Sequence, residues 1–438
     1  MKLVIVDSSK AWSVTIGCMI VNALMVGFIK IYSLIIIEYQ DLLNAPMSLL
    51  MFGTSMLTSL TGLAAPLSAY LSERFTTMKT GIFASFLAVA SIIMMAFSYN
   101  IYVQVTSAAF LGKFSLGLSF SIIYIPTISI SGKCHIKHQN LSQGIITAGS
   151  SIGALIMPLG LSELINTYSI RGVMLIMAGV LFNFAVAAVL IPTHIIKINH
   201  GYKPVLIAIQ DREKRSEGDI IKIGKWNVPI GNFAKKSKLK WPPRKLWRSV
   251  LLYSFGMTNS MNGFMLLCSL YGAFSRSLSI TIQHSAYILI IQSSIDCATR
   301  IISGYLVDFK MISRWVLYCS SGFLLSIITI LTGIFPSIPL FYFYLLSHAI
   351  LGGILMMLHL LILLDVVGVD YITATFSFYV FIQGTMSLFS FYAVGYFCDK
   401  TGHYEYAICL SGAILALGAL CIVTEHIFRS MQSRNVTL

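Results

Sequence analysis

Twelve long apolar segments dominate this chain of 438 residues, and each runs for about twenty residues without regular polar alternation. A helix needs about 20 consecutive apolar residues to cross a bilayer, whereas a membrane-barrel strand has about ten alternating ones. The chain is 57% hydrophobic and only 11% charged, against about 25% charged for a soluble domain. These properties predict an all-α membrane protein with twelve transmembrane helices. The segments cover residues 13–37, 49–71, 80–98, 102–126, 143–165, 172–191, 249–274, 283–307, 313–334, 339–364, 374–397 and 405–425.

The positive charges indicate how these helices are oriented. Of the 30 lysines and arginines, 14 lie between Lys197 and Arg248, in the stretch that separates the sixth apolar segment from the seventh. Cytoplasmic loops of membrane proteins are enriched in lysine and arginine, so we expect this loop and both termini to lie in the cytoplasm. The net charge of +14 then reflects a loop beside anionic lipid rather than a surface that binds nucleic acid.

Six segments, a long loop and six further segments divide the chain into two similar parts. This order is typical of the major facilitator architecture, in which two six-helix halves surround a central site. We expect the basic loop to be partly disordered, because it is polar. The predicted divisions are an N-terminal half over 1–191, a basic cytoplasmic loop over 192–248, a C-terminal half over 249–425 and a cytoplasmic tail over 426–438.

Two opposite charges stand alone within the eighth apolar segment. Asp296 and Arg300 are the only charged residues between Arg276 and Asp308, and their spacing puts both on one face of a helix. Each charge costs roughly 2.5–3.5 kcal/mol at the centre of a membrane helix. Arginine keeps its charge and presents a fork that matches a carboxylate, whereas a desolvated aspartate can take up a proton. The pair therefore suggests a site for an anion and a proton; the alternative is a structural ion pair that offsets its own burial.

Two lysines interrupt other apolar segments. Lys30 lies well inside the first segment and Lys113 lies inside the fourth. Either side chain is long enough to reach the membrane surface, so a lipid-facing position competes with a place in the central cavity. Lys30 is the stronger candidate for attracting an anion, and Lys113 has no obvious acidic partner in the sequence.

No pattern in the sequence indicates catalysis, a cofactor or a metal. The eight cysteines lie mainly inside apolar segments and lack the spacing of a zinc site. His135 and His138 have no third ligand in view, and we expect both to be solvated loop residues. Small residues recur at helical spacing from Gly144 to Gly153, which indicates a helix that packs closely against its neighbours. The chain is therefore not expected to be an enzyme.

Several motifs together resemble the monocarboxylate transporter family of the major facilitator superfamily, and the resemblance covers nearly all of the apolar segments. The similar motifs are Asp7–Trp12, Gly27–Lys30, the stretch from Gly132 to Gly153, the group of Asp296, Arg300 and Gly304, and Asp365–Gly368. The resemblance places Lys30 at a lysine implicated in entry of proton and substrate, and Asp296 and Arg300 at the family's paired aspartate and arginine. Leu360 stands where short-chain carriers have a substrate-gating phenylalanine, so it is a further candidate for lining the cavity, as is Lys113 from its place inside an apolar segment.

This resemblance implies a plasma-membrane carrier that moves a small monocarboxylate, such as lactate or pyruvate, together with one proton. Arg300 would bind the carboxylate, Asp296 would carry the proton, and Lys30 would attract the anion from the outer side. Relatives often need a single-span immunoglobulin-type ancillary glycoprotein to reach the cell surface, so a similar partner is expected. Two alternatives stay open: a facilitative carrier of aromatic amino acids or other organic solutes, and a non-transporting membrane sensor.

Overall fold

The computed structural model describes residues 3–5, 7–43, 47–97, 108–158, 161–191, 194–198, 204–207, 220–223, 226–229, 239–280 and 282–436. The N-terminal part contains β1 (Leu3–Ile5), α1 (Ser9–Leu43), α2 (Met47–Leu63), α3 (Ala65–Arg74), α4 (Thr77–Ala96), α5 (Ala108–Cys134), α6 (Gln139–Ile156), α7 (Leu161–Leu181) and α8 (Phe184–Leu190). The central loop contains β2 (His194–Ile198), β3 (Pro204–Ile207), β4 (Ile220–Ile223), β5 (Trp226–Pro229) and a 3₁₀ helix (Arg244–Leu246). The C-terminal part contains α9 (Trp247–Ser277), α10 (Ile282–Asp308), α11 (Arg314–Ile334), α12 (Ile338–Val367), α13 (Ile372–Thr401) and α14 (Tyr404–Val436).

Every one of the twelve predicted membrane segments overlaps at least one of these helices. Eight helices of the described part have both the length and the hydropathy of a membrane span. The second segment is divided between α2 and α3, where Pro66 lies in the first turn of α3, a position at which its missing N–H would have no helical partner. Ser169, with a φ of 59°, breaks the helical conformation inside α7 between the fifth and sixth segments. The all-α membrane fold is confirmed.

The fourth segment extends further than its hydropathy predicts. It was expected to end at residue 126, but α5 continues to Cys134. The hydroxyl groups of the added stretch are satisfied inside the helix, because each bonds to a carbonyl oxygen of the preceding turn. Thr127 Oγ1 donates to the Ile123 carbonyl at 2.5 Å, and Ser131 Oγ donates to the Ile128 carbonyl at 2.7 Å. Polar groups satisfied in this way can continue a buried helix.

The two halves meet along two pairs of helices, α2 with α13 and α6 with α10. A Cβ atom on Gly62 of α2 would lie 2.5 Å from the Cα atom of Gly384 on α13. On the second pair, a Cβ atom on Gly304 of α10 would lie 2.6 Å from the Asn140 carbonyl oxygen of α6. Glycine is needed where helix backbones approach this closely.

The small residues of α6 serve two neighbours at once. Gly144 lies against the carbonyl of Arg300 on α10, whereas Gly153 lies against the carbonyl of Ala23 on α1. Helix α6 therefore packs between one helix of its own half and one helix of the other half. This position makes α6 the helix through which groups of the N-terminal half reach the charged residues of α10.

The N-terminal segment and the central loop contain the described strands. β1 pairs with β2 in parallel, with Leu3 opposite His194, and β2 pairs with β3 in antiparallel. β4 and β5 form a separate antiparallel pair. Parts of the loop therefore form strands, because short β-branched runs such as Ile220–Ile223 can pair backbone to backbone. The β1–β2 pairing also places the N-terminal segment and the central loop at the same end of the helix bundle.

Candidate functional site

Asp296 and Arg300 of α10 form an ion pair through two contacts. Arg300 Nε donates to Asp296 Oδ1 at 2.9 Å, and Arg300 Nη2 lies 2.8 Å from Asp296 Oδ2. The side chain of Arg300 is only 5% exposed and that of Asp296 is 16% exposed. On the opposite face of the helix, Ile291 and Ile302 are more than half exposed. The pair therefore points into the protein, and its partial exposure lies on the Asp296 side.

Three groups of α6 complete this site from the other half of the molecule. Arg300 Nη1 donates to the Thr147 carbonyl at 2.8 Å and to Ser150 Oγ at 2.7 Å. Ser151 Oγ donates to Asp296 Oδ2 at 2.5 Å. Hydrogen bonds to charged groups are among the stronger ones in proteins, so these contacts couple the pair to the relative position of the two halves. Neither serine was predicted as a site residue, because the small residues from Gly144 to Gly153 indicate only close packing of helices.

Helix α12 leaves room for the pair by placing a glycine opposite it. A Cβ atom on Gly353 would lie 2.7 Å from Asp296 Oδ1 and 3.5 Å from Arg300 Cγ. Any larger residue at this position would have to displace the carboxylate. The pair is therefore enclosed by α6 on one side and by α12 on the other.

Lys30 lies in the same region as the pair, and two groups that the sequence analysis did not select lie there too. Lys30 is partly buried on α1, and the thiol of Cys268 on α9 lies within electrostatic range of Lys30, Asp296 and His348. His348 belongs to α12 and is 3% exposed. A histidine inside an apolar segment is visible in the sequence, and this signal could have identified His348 as a candidate.

The two further candidates lie elsewhere. Lys113 is 1% exposed, with its Nζ atom 5.4 Å from the centre of the Tyr32 ring, inside the N-terminal half. Leu360 is 2% exposed and belongs to the largest apolar core, where it faces Gly132 of α5. Leu360 is also two helical turns along α12 from Gly353, which contacts the ion pair. In the part of the chain that the structure describes, neither residue has a hydrogen bond, ion pair or ring contact with Asp296 or Arg300.

A second group of contacts joins the halves at the end that carries the central loop. Asp308, the last residue of α10, accepts the backbone N–H groups of Asn140 at 3.1 Å and Leu141 at 2.9 Å. Arg314 donates to Asn140 Oδ1 at 2.8 Å and to Asp365 Oδ1 at 2.6 Å. The first N–H groups of a helix lack partners within the helix, and negative charge is stabilised there. These bonds hold α6 against α10 at this end of the bundle.

His135 is buried, so the expectation of a solvated loop residue was wrong for this histidine, whereas His138 is exposed. His135 Nε2 lies 3.1 Å from Thr15 Oγ1, and the centre of the His135 ring lies 4.7 Å from that of the Trp12 ring. Asp7 Oδ1 lies 3.8 Å from His135 Nδ1. Burial lowers the pKa of His135, and the nearby Asp7 carboxylate opposes that shift without cancelling it. Proximity of α1 to the loop between α5 and α6 explains the burial.

The arrangement of these side chains suits the binding of an anion. Among the residues that the structure describes, no three His, Cys, Asp or Glu side chains are placed to hold a metal ion. The Arg300 guanidinium, by contrast, already binds one carboxylate through two points. Another carboxylate could take the place of Asp296 on the same fork.

Comparisons with known proteins agree with this architecture. The profile of the Major Facilitator Superfamily matches residues 15–389. Monocarboxylate transporter 12 of Xenopus laevis is 24% identical over 418 residues, which covers 93% of this chain and 86% of the relative. Monocarboxylate transporter 12-B of Danio rerio is 25% identical, covering 97% of this chain and 89% of the relative. Monocarboxylate transporter 2 of Mus musculus is 20% identical, covering 93% and 82%.

A solved structure shares the fold at lower sequence identity. The human organic anion transporter MFSD10 (TETRAN) superposes with a TM-score of 0.64, covering 95% of this chain and all of that one, at 12% identity. The profile match extends over most of the chain, and the two-half helical architecture agrees with it. The chain therefore belongs to the major facilitator superfamily, and it is a membrane transporter related to the monocarboxylate transporters.

Proposed function

We propose that this transporter carries a small monocarboxylate of the lactate or pyruvate type together with one proton. The observation that carries the proposal is the two-point pairing of Arg300 with Asp296 in a buried position between the halves. An arginine whose partner is a carboxylate of its own helix is already shaped for a carboxylate substrate. The names of the relatives support the substrate class.

Coupling to a proton follows from competition for one guanidinium. When a substrate carboxylate binds Arg300, Asp296 loses its counter-charge in a site that is largely removed from water. A carboxylate in that situation takes up a proton, because burial disfavours its charged form. Substrate and proton then promote each other's binding, and linkage makes that effect reciprocal.

The contacts to α6 give this exchange a mechanical consequence. Ser151 donates to the Asp296 carboxylate and Ser150 accepts from Arg300, so both partners of the pair are held by the N-terminal half. Protonation of Asp296 and occupation of Arg300 by substrate would weaken or redirect these bonds. The loaded site would thus favour a different arrangement of the two halves from the empty one.

The remaining parts of the proposal concern the setting. Lys30 attracts the anion, since Lys30 and Asp296 both lie within electrostatic range of the Cys268 thiol. We place the protein in the plasma membrane with both termini and the basic loop in the cytoplasm, following the distribution of lysine and arginine. A single-span immunoglobulin-type glycoprotein is proposed as an ancillary partner by analogy with the relatives.

The experiment that tests this function is uptake by the purified protein in proteoliposomes. Labelled lactate, pyruvate, an aromatic amino acid and an uncharged solute are offered with and without an inward proton gradient, while internal pH is recorded. We expect carboxylate uptake above its equilibrium level under the gradient, with internal acidification on substrate addition. Uptake of the carboxylates without any pH change would contradict proton coupling and favour the facilitative alternative. Uptake of only the amino acid or the uncharged solute would contradict the substrate class.

A further inference from the structure

A row of three polar side chains in contact with one another begins one helical turn along α10 from the ion pair. Gln292 precedes Asp296 by four residues and so lies on the same face of the helix. Gln292 Nε2 lies 2.9 Å from His348 Nδ1, and His348 Nε2 lies 3.9 Å from Cys268 Sγ. The three residues come from α10, α12 and α9, so the row crosses the interior of the C-terminal half.

The donors and acceptors of these three side chains indicate the direction of each hydrogen bond. The amide nitrogen of Gln292 can only donate, so Nδ1 of His348 accepts and Nε2 carries the hydrogen that points at the Cys268 sulfur. The His348 ring is held in this position by Phe264, with 4.4 Å between ring centres and 12° between ring planes. With its Nε2 atom bonded to His348, the Gln292 amide directs its Oε1 atom away from that ring.

The Gln292 Oε1 atom is a hydrogen-bond acceptor near the ion pair, and no donor among the described residues bonds to it. Among the residues that the structure describes, the side chain of Gln292 bonds only to His348, which leaves its Oε1 atom available to a ligand. Gln292 and Cys268 are both partly exposed, whereas His348 is 3% exposed. Gln292 thus lies partly exposed one helical turn from the ion pair on the same face of α10, and the buried His348 lies behind it.

We propose that Gln292, positioned by His348, forms a second polar subsite that binds a hydrogen-bond donor at the far end of the carboxylate substrate. The inference rests on the proposed function, since it takes Arg300 as the place of the carboxylate. Four residues of helix span roughly 6 Å along the axis, which sets the distance between the two ends. Among small carboxylates, the subsite therefore favours one with a hydroxyl or amide N–H group about one helical turn from the carboxylate, which is further than the hydroxyl of lactate lies from its own carboxylate. Gln292 is a specificity residue, and His348 is a positioning residue.

A pair of isosteric carboxylates tests the subsite. In 4-hydroxybutyrate a hydroxyl replaces the terminal methyl of pentanoate, at about the required distance from the carboxylate. The full-length protein in proteoliposomes is offered both, and the ratio of their kcat/KM values is measured. We expect Gln292→Met to lower the ratio of 4-hydroxybutyrate to pentanoate roughly fivefold to tenfold, the value of one hydrogen bond, with pentanoate transport kept.

Two variants at His348 separate positioning from packing. His348→Leu should lower the ratio, because nothing then fixes the Gln292 amide. His348→Asn should keep it, because the Asn oxygen can accept the same hydrogen bond as Nδ1. Ser294→Ala is the matched control on α10, since Ser294 is exposed and, within the described part of the chain, its hydroxyl bonds only to the Ile290 carbonyl. The ratio in this control should equal that of the unmodified protein.

The outcomes distinguish this subsite from the proposed function. An unchanged ratio in Gln292→Met, with both carboxylates still transported, overturns the subsite and leaves the carboxylate site standing. Transport of lactate or pyruvate but of neither test compound by the unmodified protein overturns the subsite alone, whereas transport of none of these carboxylates overturns the carboxylate site and the subsite with it. If Gln292→Met fails to reach the membrane, His348→Leu decides, because it leaves α10 unaltered; an unchanged ratio there also overturns the subsite.

Discussion

Ser151 of the N-terminal half donates a hydrogen bond of 2.5 Å to the carboxylate of Asp296 in the C-terminal half. The same carboxylate oxygen lies 2.8 Å from Arg300 Nη2. One acidic group is therefore shared between an arginine of its own helix and a hydroxyl across the interface of the halves. A change in the charge of Asp296 acts at once on the ion pair and on the contact between the halves.

Asp296→Asn should abolish uphill uptake driven by a proton gradient. An amide cannot gain and lose the proton that links the two fluxes, although its oxygen can still accept from Arg300. We expect downhill exchange of substrate to survive better than net uptake, since exchange does not require the proton to be released. Both rates are measured in proteoliposomes at equal amounts of inserted protein. Uphill uptake at the unmodified rate would make Asp296 a structural partner of Arg300 only.

Arg300→Lys should impair transport although the positive charge is kept. An ammonium group cannot donate to both oxygens of Asp296 while also reaching Thr147 and Ser150, as the guanidinium does. Losing one charge-assisted hydrogen bond costs about 1.5–3 kcal/mol, so kcat/KM should fall about 10-fold to 100-fold. Substrate saturation curves measure this effect. An unaltered curve would remove Arg300 from the substrate site.

Gly353→Ala should damage transport, and Gly132→Ala should not. The new methyl group at 353 would lie 2.7 Å from Asp296 Oδ1, whereas at 132 its nearest neighbours are two leucine methyl groups at 3.8 Å. Both substitutions gain about 0.5–1 kcal/mol in helix stability, so only the contact with the ion pair differs between them. We expect at least a tenfold loss of uptake for Gly353→Ala alone. Equal uptake by both variants would show that the pair can shift without cost.

The sequence predicted correctly that Asp296 and Arg300 pair on one helix face, but it did not predict the polar groups that surround the pair. The spacing of Asp296 and Arg300 predicted a shared helix face, because helix geometry alone determines it. Ser150, Ser151 and Gln292 could not be selected, since a serine or glutamine in an apolar segment carries no mark of which helix faces it. His135 was misjudged for a related reason: its burial depends on Trp12 and Thr15, more than a hundred residues earlier in the chain.

Epitope tags should show the N-terminus and the central loop on the cytoplasmic side. The lysines and arginines predict this orientation, and the pairing of β1 with β2 places both segments at one end of the bundle. Tags at either place should be stained only after the cells are permeabilised. A tag in the turn at Gly402, between α13 and α14, is the control and should be stained on intact cells. Surface staining of the central-loop tag would overturn the orientation.

His135→Phe should reduce the loss of stability in acid. Because burial lowers the pKa of His135 in the folded protein, the unfolded chain binds the proton more readily. The resulting stabilisation is present above the ordinary histidine pKa of about 6.5 and is lost as the pH falls through the lower folded value. We expect the melting temperature in detergent to drop between pH 7.5 and pH 5.5, and to drop less in His135→Phe, which keeps a ring beside Trp12 (the two pH values being about one unit either side of 6.5).

The exposed neighbour His138 supplies the control for this measurement. His138→Gln should show the same acid-dependent drop as the unmodified protein, because it alters an exposed side chain and leaves the buried His135 in place. A drop that is as large in His135→Phe as in His138→Gln would show that the acid sensitivity arises elsewhere. A larger drop in His135→Phe would mean that the attraction of Asp7 outweighs burial, and that protonated His135 stabilises the contact between the N-terminal segment and the loop before α6.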